Sequence, residues 1–171
     1  MTAVLKPLSP DMGEDVYRML QEIADGENGF SNPAYGLDWA AFQAWLRQEA
    51  DYAQGWGLPE GWIPVSTYFL FVDGVPVGYG RVRHASSPYL EDVLRVGNLG
   101  YGVAASQRGK GYGKLLFAGL LEKCRDLGYQ RIKLFPLKSN EATLRVMLGC
   151  GGVIAGEYAD KYLVIVPIPD R

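Results

Sequence analysis

Along this chain of 171 residues the apolar positions change their spacing several times, and each change marks an element. Ala3, Val4, Leu5 and Leu8 allow a first strand over 2–8. Ser9, Pro10 and Asp11 then supply an N-cap, a proline for the first helical position and an acid for the first turn. Val16, Leu20 and Ile23 follow at helical spacing until Gly26. The stretch 27–37 reads as a loop, and Asp38 caps a second helix whose apolar stripe is Phe42, Trp45 and Leu46. Between 51 and 64, Gly55, Gly57, Pro59, Gly61 and Pro64 leave no regular element.

From Ser66 the pattern turns β-branched and aromatic. It predicts strands over 66–72 and 75–83 joined by an Asp73-Gly74 turn, a polar irregular stretch over 86–93, and a strand over 97–104. A helix over 114–127 closes at Gly128, and a strand over 131–135 stops at Pro136. Ser139 caps a helix through Leu148, and 153–157 pairs with 163–168 as a final hairpin. The order β-α-α-β-β-β-α-β-α-β-β is that of an α+β fold, a central mixed sheet between helical layers. No repeat or linker interrupts it, so one domain is expected over 1–171.

At 48% hydrophobic and 21% charged residues the chain is of ordinary globular composition. A net charge of −2 and a pI near 5.4 speak against a general nucleic-acid or membrane-surface binder. Cys124 and Cys150 have no metal-type spacing, and no metal is expected. Cys124 shares a helical stripe with Leu116, Leu120 and Leu127 and reads as core. With no signal pattern or spanning apolar segment, a cytoplasmic setting is expected.

The chemistry concentrates in 103–117, where a strand runs into a loop with glycines at 109, 111 and 113 and then into a helix. The first N–H groups of a helix lack intrahelical partners and lie at the positive end of its dipole, where a pyrophosphate can be held. Arg108 and Lys110 add positive charge. A bare turn needs one glycine, and each further one costs backbone entropy. A Walker A loop fails twice, at Arg108 where glycine is required and at Leu115 where a hydroxyl is required. Gly100-x-Gly102-x-x-Ala105 matches a dinucleotide fingerprint only formally, since it lies inside a strand pattern.

Arg108-x-x-Gly111-x-Gly113 between strand and helix, with Asn140 opening the next helix and Gly151 closing it, resembles the GNAT superfamily of N-acetyltransferases. The likeness in element order runs from about Thr67 to Val166 and is sharpest from Asn98 to Leu116. The wording Leu99-Gly-Tyr-Gly-Val103 and Gly151-Gly152-Val153 is similar to a little-characterised bacterial branch of such enzymes. The resemblance implies a mostly antiparallel sheet splayed at the coenzyme site, and acetyl-CoA as co-substrate. It places Arg108, Gly109, Lys110, Gly111, Tyr112 and Gly113 on the pyrophosphate, Val103 on the pantetheine and thioester, and Asn140 on the coenzyme arm. It implies direct acetyl transfer to the primary amine of a small-molecule or peptide acceptor, with no nucleic acid or membrane involved. A homodimer through the final hairpin suits such a fold. The alternative is a non-catalytic acyl-CoA-binding module of the same fold.

The catalytic groups depart from the family pattern. Its usual acid, a tyrosine seven residues after the asparagine, is Met147 here, and the aromatic often found after the late glycine is Gly152. Tyr101 is the candidate acid, with Ser139 and Tyr112 as neighbours in the same region. The family's glutamate at the start of the strand before the loop is Asn98. His84, the only histidine, is the candidate base, against a plain structural role at a strand end. Glu91 and Asp92 read as solvated loop charges. Phe30, Tyr35, Trp56 and Trp62 fall where the acceptor wall is expected, and core packing equally accounts for Phe30 and Tyr35.

Overall fold

The computed structural model describes residues 1–170. β1 (Ala3–Pro7), β2 (Val65–Val72), β3 (Val75–Arg83) and β4 (Leu99–Val103) form one sheet in that order, and β5 (Arg131–Leu134), β7 (Tyr162–Pro167) and β6 (Val153–Glu157) form another. Every ladder in both is antiparallel. The helices are α1 (Glu14–Leu20), α2 (Trp39–Ala53), α3 (Tyr112–Asp126) and α4 (Glu141–Gly149).

Alternation along β2 sorts the core. Phe69 and Phe71 turn to one face, where Val16 and Leu20 of α1 and Phe42 and Leu46 of α2 cover them. Leu70 and Val72 turn to the other, under Leu116, Phe117 and Leu120 of α3. That second cluster continues through Ile132, Leu134, Val164 and Val166, so the two sheets share a core although no ladder joins β4 to β5. β3 carries glycine where α3 presses closest: a Cβ on Gly80 would stand 2.4 Å from Leu120 Cδ1. Leu120 is fully buried there, and truncating it to alanine costs about 2–5 kcal/mol.

Two expected helix starts move. Ser9 does not cap α1: its hydroxyl donates to Asp11 and its carbonyl accepts from Met12 N–H, a turn that holds Pro10 outside the helix. Gly13, extended, precedes α1 instead. Asn140 rather than Ser139 caps α4, its side chain accepting from Thr143 N–H at 3.3 Å. Asp38 caps α2 as expected, accepting from Ala41 N–H at 2.8 Å. Asp73 and Gly74 both take positive φ, the backbone of a type I′ hairpin turn. The stretch 86–93 is ordered, with a π-helical turn over Tyr89–Val93 that buries Glu91.

Candidate active site

Asn98, immediately before β4, is the pin at which the two sheets part. It is 2% exposed. Its N–H donates to Lys133 O at 3.0 Å, and its Oδ1 accepts from Lys133 N–H at 2.6 Å, one side chain standing in for a rung between β4 and β5. Nδ2 donates to Glu91 Oε1 at 3.1 Å, while Glu91 Oε2 accepts from Ser87 N–H at 2.9 Å. Glu91 is therefore a buried buttress of the pin and no solvated charge. Past Asn98 the strands share no ladder.

The free edge of β4 follows from the register. Ala104 N–H donates to Val77 O at 2.8 Å, and Asn98 O accepts from Arg83 N–H at 2.9 Å. Because an antiparallel ladder alternates, residues 100, 102 and 104 face β3, and the backbone groups of Tyr101 and Val103 lie on the open edge. Arg108 Nε reaches that edge, donating to Val103 O at 3.0 Å, and its Nη2 pairs with Glu27.

The loop after Val103 turns left-handed at Gly109 (φ 76°) and again at Gly111 (φ 83°), a backbone that side chains disfavour. Gly111 is the residue before α3, so the helix opens at Tyr112, two residues earlier than its apolar stripe suggests. The N–H groups of Tyr112, Gly113 and Lys114 belong to its first turn and have no intrahelical acceptor. Gly113 is required neither by conformation nor by space, since its φ is not positive and a Cβ there would meet Tyr101 and Val103 only at 3.9 Å.

A cavity of about 610 Å³ lies over this loop. Val103, Arg108, Gly109, Gly111, Tyr112, Gly113 and Asn140 all line it. Lys110 does not, and its Nζ donates to Gln107 Oε1 at 3.1 Å. The facing wall is α4, with Ala142, Arg145, Val146 and Gly149 turned to the cavity at helical spacing. Arg145 and Thr143 escaped the sequence reading, although Arg145 lies three residues past Ala142 and Thr143 three past Asn140, each at helical spacing.

A second cavity, of about 340 Å³, lies on the other side of the opening. It shares Asn28, Phe30, Tyr101, Asn140 and Thr143 with the first. Phe30 divides the two: its ring covers Gly100 and Gly102, at 3.0 Å from where either Cβ would stand, and packs 4.9 Å from the Tyr79 ring. Trp62 lines the second cavity, whereas Tyr35 and Trp56 are exposed and line neither. The Tyr101 hydroxyl is hydrogen-bonded to Thr143 Oγ1. Burial raises its pKa to about 12, so it stays protonated at neutral pH.

The structure does not bring His84 to the opening. Its Nε2 lies 2.7 Å from Ser66 Oγ, its N–H donates to Pro64 O, and burial lowers its pKa. It lines neither cavity, and neither does Ser139. Met147, at the family's tyrosine position, is buried in the wall of the second cavity. At Gly152 a Cβ would come within 2.6 Å of Met147 O, which leaves no room for an aromatic side chain. Behind the second cavity, Arg81 Nη2 bonds buried Glu49 at 2.9 Å, and Glu49 also accepts from Thr67 Oγ1 at 3.3 Å. Burial first, and then the charge of Arg81, lower Arg83 to about 10, which leaves it charged at neutral pH. Among the described residues no cluster of three or more His, Cys, Asp and Glu could hold a metal. No helix among them is long and apolar enough to cross a membrane.

Two cavities therefore meet at a parted sheet, one of them over an anion cradle. Residues 32–151 match the model of the Acetyltransferase (GNAT) family, and the chain belongs to that family. No curated protein matches it. Among solved structures, an acetyltransferase of the GNAT family from Streptococcus pneumoniae is similar over 98% of this chain and 100% of its own, with TM-score 0.67 and 17% identity. The Campylobacter jejuni N-acetyltransferase PseH, in complex with acetyl coenzyme A, is similar over 98% and 100%, with TM-score 0.62 and 14% identity. YncA from Salmonella typhimurium, with its cofactor acetyl-CoA, is similar over 100% and 96%, with TM-score 0.61 and 14% identity.

Proposed function

We propose that the protein is an acetyl-CoA-dependent N-acetyltransferase that moves the acetyl group directly to the primary amine of a small-molecule or peptide acceptor, with both substrates bound together. One observation carries the reading: the cradle at 108–114 and the open edge of β4 line one cavity, which meets a second at Tyr101. PseH and YncA, similar in fold and described with acetyl-CoA, support the choice of carrier.

Acetyl-CoA supplies a diphosphate for the cradle and an activated acyl carbon for the opening. Arg108 and the first-turn N–H groups of α3 hold the diphosphate, Arg108 exchanging Glu27 for it. The Val103 N–H donates to the acyl oxygen, a preorganised donor where negative charge develops. Asn140 uses Oδ1 to cap α4 and keeps Nδ2 for the coenzyme arm. Tyr101 holds a proton at its hydroxyl, braced by Thr143, for the departing sulfur.

No aspartate, glutamate or histidine lines the acceptor cavity, and His84 is engaged by Ser66. The role of base therefore goes to no side chain. Arg81, Arg83, Arg95 and Lys161 disfavour an ammonium beside them, so the amine sheds its proton to water. A cytoplasmic, reducing setting accords with two free cysteines.

The test is release of free thiol from acetyl-CoA across a panel of primary amines. The reading requires release with at least one amine and loss of that release in Tyr101→Phe. Acetyl-CoA binding with no thiol released by any amine would leave a non-catalytic acyl-CoA-binding module.

A further inference from the structure

The acceptor cavity is strongly positive in a chain whose net charge is −2. Arg81, Arg83, Arg95 and Lys161 line it, and no aspartate or glutamate does. Among the described residues only Arg81 of these four has a carboxylate partner, Glu49, and its Nε, in a side chain nine-tenths buried, has no hydrogen-bond partner among them. Arg83 makes one side-chain hydrogen bond, to the Gly97 carbonyl at 2.6 Å, and no ion pair among the described residues. Arg95 is held by neutral groups, the Tyr158 ring 4.2 Å away and the Asp92 carbonyl. Lys161 has no side-chain partner among the described residues. The buried carboxylate of Glu91 has both oxygens engaged by Asn98 and Ser87.

Four cations gathered around one cavity with a single carboxylate partner among them repel one another and favour an anion between them. We propose that this cavity binds an acceptor that carries an anionic group, a carboxylate or a phosphate, alongside its amine. Arg83 and Lys161 take the anion. A volume of about 340 Å³ suits a small molecule or a chain end, between the walls of Phe30 and Trp62. The amine's part in this rests on the transferase reading above, and the anion's part does not. The same cations do two things at once: they hold the acceptor by its anion and keep its amine neutral for attack.

Two matched pairs of probes separate the possibilities: β-alanine against its methyl ester, and phosphoethanolamine against ethanolamine. Each is titrated calorimetrically into the protein saturated with coenzyme A, and each is then assayed for thiol release from acetyl-CoA. The anion-bearing member of at least one pair is expected to bind about 10- to 100-fold more tightly than its partner without the anion, the range of a charge-assisted hydrogen bond. The pair that discriminates tells carboxylate from phosphate. Arg83→Met and Lys161→Met are expected to remove the difference while coenzyme binding is kept. Lys161 has no side-chain bond to lose, so its variant tests the site even where Arg83→Met fails to fold. Equal binding within both pairs, or discrimination that survives in a folded variant, overturns the proposal. Discrimination without thiol release from any amine upholds the anion site and overturns the transferase reading. Release from the amines that lack an anion as fast as from those that carry one does the reverse.

Discussion

Replacing Asn98 with alanine tests how the opening between the sheets is made. In the folded protein this side chain accepts from Lys133 N–H at 2.6 Å and donates to Glu91 Oε1 at 3.1 Å, at 2% exposure. Alanine leaves a backbone donor and a buried carboxylate oxygen each without its partner. A buried polar group stranded in this way costs about 1–3 kcal/mol, so the two together give about 2–6 kcal/mol. That is a large part of the roughly 5–15 kcal/mol by which a domain of this size is stable. Urea unfolding followed by tryptophan fluorescence measures it, and the midpoint should fall with m unchanged. In enough residual folded protein, KM for acetyl-CoA should rise, because β4 and β5 keep only one of the two bonds that set their separation. A loss below about 1 kcal/mol, inside the range of an ordinary surface change, would refute the pin and leave the parting of the sheets to the core alone.

Tyr101→Phe removes the hydroxyl that bridges to Thr143 and should lower kcat by about 10²- to 10⁴-fold in the thiol-release assay, with acetyl-CoA affinity kept. Since burial raises Tyr101 to about 12, its acid form persists as pH rises, and the wild-type pH profile should show no falling limb from this group through pH values well short of that figure. Gly111→Ala, at φ 83°, should cost about 1–2 kcal/mol in thermal unfolding and weaken coenzyme binding. Gly113→Ala, whose Cβ meets nothing nearer than 3.9 Å, should cost neither. Cys124 is fully buried and its thiol is pushed up to about 12, so a thiol reagent should leave it unmodified in the native protein and reach it only on unfolding.

How far the chain could be read in advance depended on the range of the interaction. Strands β2 and β3, their Asp73-Gly74 turn and the stripe of α3 are local patterns, and each appears where its residues point. The loop at 108–113 was legible for the same reason, since its glycines and its helix are neighbours in sequence. Asn98 was not. It is a pin only because Lys133, 35 residues on, returns beside it, and an asparagine ahead of a strand carries no mark of that. The second cavity gathers Trp62, Arg83, Arg95 and Lys161 from four separate segments, so its charge is visible only after folding. His84 misled because rarity and a near-neutral titration suggest a base, whereas its ring is bonded across the hairpin to Ser66. Ser9 misled because a Ser-Pro-Asp start also suits a tight turn, and the extended Gly13 delays the helix.

The central claim is that the loop after β4 holds acetyl-CoA, and calorimetric titration of acetyl-CoA into wild type and Arg108→Glu tests it most directly. Arg108 lines the cavity and holds the open edge through Val103 O. Reversing its charge should weaken acetyl-CoA by at least about tenfold, the lower range for a charge-assisted contact, while leaving the protein folded because the residue lies at the surface and outside the core. One-to-one binding by wild type and such a loss in the variant is the predicted result. No binding by wild type, or equal affinity in the two proteins, would contradict the account.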